Sequence, residues 1–140
     1  MATTTATLTL TSPDITGHSF NMTQTTSLRK AKSSTGLDEF TGITSRKYAT
    51  AQSDTVVVAD ANYVSSSSTA FVAHKVYIRN TSTGSSDYII VELEGDVIIG
   101  RLYPGDWMLI PYGGTLDILV TTIATNTSIE YAVLSQSTVS

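Results

Sequence analysis

The chain has 140 residues, the size of one domain, and a hydrophobic share of 41%, enough for a single core. Charged residues make up only 14% and the formal net charge is -4, which argues against the basic surface that nucleic-acid binding requires. The sequence has no cysteine, which excludes disulfides and thiolate metal sites, and no apolar run approaches the roughly 20 residues that span a bilayer.

Serine and threonine supply most of the polar character, at about three residues in ten. Threonine is β-branched and suits a pleated, half-buried strand, whereas serine suits turns. The composition therefore favours β structure with an uncharged surface that contacts other proteins. We expect no nucleic-acid and no membrane partner. The opening MATTTATLTL lacks the basic and apolar regions of a secretory signal, so we expect synthesis in a cytoplasm without signal-peptide export.

The first half of the chain begins with an alternating pattern. Leu8 and Leu10 interleave with threonines, which indicates a strand, and Pro13-Asp14 indicates the turn after it. A second strand is predicted over residues 20–28. Residues 29–54 are polar and carry isolated apolar side chains. This segment fits an ordered arm that packs against a neighbouring subunit, and it equally fits an excursion that covers the core of its own domain.

The second half of the chain contains a series of short strands. A serine-rich turn is expected at residues 65–68, and turn residues recur after it every eight to twelve positions, as in antiparallel sandwiches and barrels. The predicted strands are residues 72–78, 88–93, 97–102, 107–110, 116–120 and 129–134.

These elements predict an all-β fold, either an antiparallel β-sandwich or a jelly-roll-like barrel, with an extended N-terminal arm or loop. The chain is expected to form one domain overall. Within it, residues 1–54 would supply the N-terminal strands and the arm, and residues 55–140 would form the sandwich core.

The sequence contains no residue pattern that favours catalysis. His18 and His74 are far apart and in no metal-ligand spacing, and neither a G-x-S-x-G elbow nor a phosphate-binding glycine loop occurs. Glu92 and Glu94 lie two apart on a predicted strand, and we place their shared face in solvent because the apolar side chains beside them point the other way. We therefore predict a protein that is not an enzyme and that binds no metal or cofactor.

The segment IGRLYPGDWMLIPYG, residues 99–113, is the most distinctive because it contains the single tryptophan. Trp107 fits either the domain core or a subunit contact, with Tyr103 and Tyr112 at the rim of that contact. Five of the eight basic residues lie earlier in one stretch, where they fit either docking onto an acidic face or solvated loops. The candidate interface residues are Arg29, Lys30, Lys32, Phe40, Arg46, Lys47, Tyr103, Trp107 and Tyr112.

The sequence from Lys75 to Leu134 resembles small structural proteins of tailed-bacteriophage virions, particularly those of cyanobacterial phages. The stretches that carry the resemblance are KVYIRN, IGRLYPGDW and IEYAVL. No catalytic residue comes with it. The residues that match are Val76-Tyr77-Ile78, Gly100-Arg101-Leu102, Gly105-Asp106-Trp107 and Glu130-Tyr131.

The resemblance implies a virion component that is assembled in the host cytoplasm. A capsid cement or decoration protein fits best, with the major capsid protein or another virion protein as its partner. Such proteins bridge neighbouring shell subunits and self-associate, most often as trimers. The alternative is a tail or fibre component, either an adaptor or a module that binds host glycans through exposed aromatic rings.

Overall fold

The computed structural model describes residues 3–14, 17, 19–63 and 72–136. Within these ranges the chain forms eleven strands and one short 3-10 helix at Asp60–Asn62, and every pair of strands is antiparallel, which confirms the all-β prediction. The turn predicted at residues 65–68 and His18 lie outside the described residues. The strands are β1 (Thr4–Ser12), β2 (Phe20–Leu28), β3 (Glu39–Phe40), β4 (Thr44–Tyr48), β5 (Gln52–Val58), β6 (His74–Asn80), β7 (Ile89–Leu93), β8 (Val97–Leu102), β9 (Trp107–Tyr112), β10 (Ile118–Thr122) and β11 (Thr127–Ser135).

The strands from β4 to β11 have the order of a jelly roll. Their pairing is nested, because β4 pairs with β11, β5 with β10, β6 with β9, and β7 with β8. The pairings of β11 with β6 and of β10 with β7 then join this ribbon into two sheets. We call the sheet with the order β5-β10-β7-β8 the β8 sheet. The other is the β9 sheet, in which β3 and β4 both pair with β11, followed by β6 and β9.

The core lies between the two sheets and consists mainly of β-branched side chains. On β6 the buried residues alternate with half-buried or exposed ones, as expected for a strand with one face toward the core. Burial of each such aliphatic side chain contributes about 1.5–3 kcal/mol. The fully buried aliphatic residues at the centre are Val76, Ile78, Ile89, Val91, Ile118, Val120 and Ile129.

The first 28 residues contain a separate two-stranded sheet, in which β1 and β2 pair over nine residues each. The arm predicted for residues 29–54 is not confirmed, because β3 and β4 pair with β11 in the β9 sheet. Leu37 is buried as well, at 2% exposure. This segment therefore covers its own domain, which was the second reading of the sequence. The boundary predicted between residues 54 and 55 falls inside β5.

Candidate protein-binding surface

The outer face of the β9 sheet carries the alternate side chains of each strand, those that point away from the core. On β6 these are Lys75, Tyr77 and Arg79, whereas His74 and Val76 are buried. The strand register then fixes which outward side chains are neighbours, since residues directly opposite each other in an antiparallel pair share a face.

An apolar band crosses this outer face from one edge strand to the other. Leu109 on β9 stands opposite Tyr77, which in turn stands opposite Ala132 of β11. Two residues farther along β11, Leu134 stands opposite Phe40 of β3. With Trp107, which is two residues from Leu109 on the same strand, these side chains form a continuous diagonal. The apolar band consists of Phe40, Tyr77, Trp107, Leu109, Ala132 and Leu134.

The two ends of the apolar band are exposed. Phe40 is 59% exposed and Trp107 is 52% exposed, and Leu109 is 37% exposed. Single apolar residues on a surface are ordinary, but a contiguous apolar surface with a polar border is characteristic of protein–protein contact sites. The middle of the band is less accessible, because Tyr77 and Leu134 are half-buried and Ala132 is 2% exposed. The two ends of the band therefore have the composition and the exposure of an interface.

Polar groups border the apolar band on one side. The Tyr77 hydroxyl donates a hydrogen bond of 2.8 Å to Glu130 Oε1, and Arg79 Nη1 lies 3.8 Å from the same oxygen. Burial and the adjacent Glu130 carboxylate raise the pKa of Tyr77. These contacts hold the Tyr77 ring in place at the centre of the band.

A second group of rings lies beside the turn between β8 and β9. The Tyr88 and Tyr103 rings are 5.4 Å apart between centroids, and the Arg101 guanidinium carbon lies 4.7 Å from the centre of the Tyr88 ring. A cation over an aromatic face is attracted by the ring quadrupole. Tyr103, at 46% exposure, therefore extends the aromatic surface beyond the apolar band toward the end of the sandwich.

Asn80 connects the loops that carry these rings, a role that could not be predicted from the sequence. It is fully buried, and its Nδ2 donates to the carbonyl oxygens of Asp87 at 2.7 Å and Leu102 at 2.8 Å. Its Oδ1 accepts from the Ser82 N–H at 3.0 Å. The only available signal was a polar residue that ends the apolar strand KVYIRN, and that pattern is equally compatible with an exposed turn.

The structure settles two alternatives for the aromatic residues. Trp107 points outward, so its assignment to the core is wrong and the contact reading agrees with its exposure. Tyr112 is 6% exposed, so its placement at the rim is wrong. Its ring meets the Tyr63 ring edge-on at 5.9 Å, and its hydroxyl donates to the Leu116 carbonyl at 2.8 Å. Burial raises the pKa of Tyr112 to about 12.

The five basic candidates lie in two places. Arg29, Lys30 and Lys32 are in the loop after β2, where Lys30 forms an ion pair with Asp38. Arg46 and Lys47 are on β4.

Arg46 makes contacts within the domain. Its Nη1 donates to the Val56 carbonyl of β5 at 3.2 Å, and its guanidinium carbon lies 5.3 Å from the centre of the Tyr131 ring. Arg46 thus links the edge strands of the two sheets, so this exposed side chain stabilises its own domain.

The solvent position predicted for Glu92 is wrong. Glu92 is 6% exposed on the outer face of the β8 sheet, where its register neighbours are Ile98 and Leu119. Thr121 Oγ1 donates a hydrogen bond of 2.7 Å to its carboxylate. Glu94 lies beyond the end of β7 and is exposed, as expected.

Two other kinds of site are absent from the part of the chain that the structure describes. In those residues, no three histidine, aspartate or glutamate side chains converge as ligands of a metal ion. The same residues contain no helix with the length and apolar character needed to cross a membrane.

Comparison of the sequence with models of known protein families finds no match, and a search of curated proteins finds none. The resemblance to phage virion proteins therefore stays a prediction.

Proposed function

We propose that this chain is a structural protein of a phage virion, a capsid cement or decoration protein that binds neighbouring shell subunits. The observation that carries the proposal is the apolar band on the outer face of the β9 sheet. The band is wide, because it runs from β9 at one edge to β3 at the other. The sequence resemblance supports the virion context, and the jelly roll is compatible with it, although this fold also serves unrelated functions.

The physical basis is the burial of the apolar band against a flat partner. Aromatic residues and arginine are enriched in the centres of protein interfaces, and Arg79 lies beside the aromatic residues of the band. Trp107 and Phe40 at the two ends could each insert between side chains of a different shell subunit. A protein held at both ends would stabilise the shell by linking its neighbours. We include homo-oligomerisation in this proposal and place the protein in the virion after assembly in the host cytoplasm.

The test has two parts. Mass spectrometry of purified particles should detect this chain in many copies, and its absence from particles would refute the proposal. Purified protein should also co-sediment with shells that lack it, and Leu109→Asp and Phe40→Asp should each reduce that binding at least tenfold. Ile123→Asp is the matched control, because Ile123 is a 47% exposed apolar side chain that follows β10 of the other sheet. Equal binding by all three variants would exclude the apolar band.

The exposed rings favour one alternative, a tail or fibre component that acts as an adaptor or binds a host glycan. Trp107 and Tyr103 flank the turn at Pro104-Gly105, and both rings are accessible for stacking on a sugar. On a glycan array, this alternative predicts a signal that Trp107→Ala abolishes. An array without signal, together with shell binding by the same preparation, would decide in favour of the cement protein.

A further inference from the structure

The β1–β2 hairpin has an unusually bare backbone edge. Each strand is nine residues long, the two pair without a break in register, and neither contains a charged residue or a proline. A two-stranded hairpin is only marginally stable in water, and an uncharged, regular edge recruits further strands.

The free edges of the sandwich are protected by features that the hairpin lacks. The register of β8 is interrupted, and that of β5 is interrupted twice. Pro111 lies on β9, and β4 carries Arg46 and Lys47. Bulges, prolines and basic residues all discourage pairing with another chain. The contrast within one molecule identifies the hairpin as the edge that is suited to pairing.

Burial indicates which strand of the hairpin faces away from the sandwich. On β1, Ala6 and Leu8 are half-buried, and Leu8 lines a shallow groove together with Leu109 of β9. Their register partners on β2, Thr26 and Gln24, are exposed. At the next pair the difference is reversed, since Leu10 is 43% exposed and Met22 is half-buried. Leu10 nevertheless lines the same groove and no residue of β2 does, so β1 is the strand nearer the sandwich and β2 is the outer strand.

The outer edge of β2 is occupied only at its end by the described part of the chain. There the Leu37 N–H donates to the Leu28 carbonyl at 3.0 Å, and Arg29 forms a bridge with Gly36. Since the Leu28 carbonyl points away from β1, the alternation of an antiparallel strand directs the N–H and C=O groups of Thr26, Gln24 and Met22 to the same side.

We propose that β2 pairs antiparallel with β2 of a second copy of this chain, around a two-fold axis at Gln24. The two hairpins then form one four-stranded sheet. Rotation about an axis normal to the sheet keeps every residue on its own face, so Thr23 stands opposite Thr25 of the second copy. Self-association would then occur through the β2 edge, and it would produce a dimer in place of the trimer that the resemblance implies.

The side chains on the outward face of the hairpin suit this pairing. Thr7 and Thr25 hydroxyls are 3.1 Å apart, and Thr9 and Thr23 hydroxyls are 3.3 Å apart. The two-fold pairing extends each of these pairs into a row of four threonines across the sheet. Cross-strand threonine pairs stabilise sheets, and no like charges meet across the axis. An identical strand is therefore a suitable partner, which is why we assign the edge to a second copy.

The decisive variant is Thr23→Lys/Thr25→Lys, which places four lysines around the proposed axis. The matched control, Thr7→Lys/Thr9→Lys, removes the same two hydroxyl contacts and adds the same charge to the same face, but on the inner strand. Sedimentation velocity over a concentration series should show a dimer for the native chain and for the control, and a monomer for the β2 variant. Circular dichroism checks that both variants keep the native fold. A monomeric native chain at the highest soluble concentration, a trimer, or equal behaviour of the two variants would overturn the proposal.

Cysteine cross-linking tests the register, since the chain has no cysteine of its own. Opposed residues in a non-hydrogen-bonded antiparallel pair have Cα atoms about 4.5 Å apart, within the range of a disulfide. A mixture of Thr23→Cys and Thr25→Cys chains should form the mixed disulfide under mild oxidation, and a mixture of Thr7→Cys and Thr9→Cys should not. Self-linked Thr23→Cys as the main product would overturn the axis at Gln24. These experiments use no particles, so their failure would bear on self-association alone and would leave the proposed binding to the shell untouched.

Discussion

Asn80 is the residue whose loss we expect to be the most informative for stability. Replacement by alanine removes the three side-chain hydrogen bonds that join Asn80 to Asp87, Leu102 and Ser82. Asn80 itself is 0% exposed, so water has no direct access to the space that its amide fills. The two carbonyl oxygens and the N–H that it satisfies would lose their partners.

The magnitude follows from the count of lost partners. A typical hydrogen bond contributes about 1 kcal/mol net, and a buried group left without a partner costs about 1–3 kcal/mol. Because Asp87 and Leu102 are half-buried and can recover part of their hydration, we expect Asn80→Ala to lower the free energy of unfolding by about 3–5 kcal/mol. For a domain of this size, that corresponds to a fall in Tm of roughly 10–17 °C.

Urea and thermal unfolding of Asn80→Ala should be compared with Asn21→Ala, which removes an exposed asparagine from β2. Asn80→Asp adds a second test, because a carboxylate has the same shape but cannot donate to the two carbonyl groups. Its stability should rise as the pH falls and the carboxyl group becomes protonated, since the protonated form regains one donor. If Asn80→Ala lies within about 1 kcal/mol of Asn21→Ala, the argument from buried partners is wrong.

Three further predictions concern other parts of the domain. Burial lowers the pKa of His74 below its ordinary value of 6.5, so at pH values between the two the unfolded chain binds a proton that the folded chain does not. The free energy of unfolding should therefore be highest above pH 6.5 and fall as the pH decreases below it. His74→Gln should reduce this pH dependence in thermal melts recorded over a range of pH. Gly114 has φ +71°, and a Cβ there would lie 2.8 Å from the Tyr63 carbonyl oxygen, whereas Gly42 has φ +77° and no atom within 4 Å of the corresponding position. Gly114→Ala should therefore lower the free energy of unfolding by more than the roughly 1–2 kcal/mol expected for Gly42→Ala. Equal losses in urea unfolding would contradict the close approach of Gly114 to Tyr63. Trp107→Ala should lower the free energy of unfolding by about 1–2 kcal/mol, because only about half of the residue is buried. A core tryptophan would lose about 3–5 kcal/mol, and a loss of that size would contradict the outward position of the ring.

Much of the fold could be predicted because strands leave a local pattern. The predicted strands at residues 97–102 and 20–28 coincide with β8 and β2. The predicted strand at residues 129–134 lies within β11. Turn residues between apolar stretches fix where a strand ends. The nested pairing of the jelly roll has no such local signal, because it depends on contacts between residues that are distant in sequence.

The error at Glu92 and the open choice at residues 29–54 both arose from missing information about neighbours. Alternation correctly separated Glu92 from the core-facing Val91, but it could not reveal that Ile98 and Leu119 would flank the carboxylate and bury it. The segment 29–54 was polar enough to fit an arm. Only the pairing of its short strands with β11 shows that it belongs to the domain.

Trp107 and Tyr112 could not be assigned to a face because β9 is apolar on both sides. In WMLIPY, the inward residues Met108, Ile110 and Tyr112 alternate with Trp107, Leu109 and Pro111. A strand with such a sequence is typical of a sheet that is covered on both faces. Here the core covers one face, and the other carries the apolar band.

The apolar band and the β2 edge are two different kinds of surface, and this difference makes their roles separable. The band presents side chains, so a substitution such as Leu109→Asp changes its chemistry while the backbone pairing of β9 with β6 remains. The β2 edge presents backbone groups, so lysines at Thr23 and Thr25 act by repelling an approaching strand. If the band binds the shell and the edge binds a second copy, each variant should lose one association and keep the other. A variant that lost both would mean that the copies must pair before the band can bind.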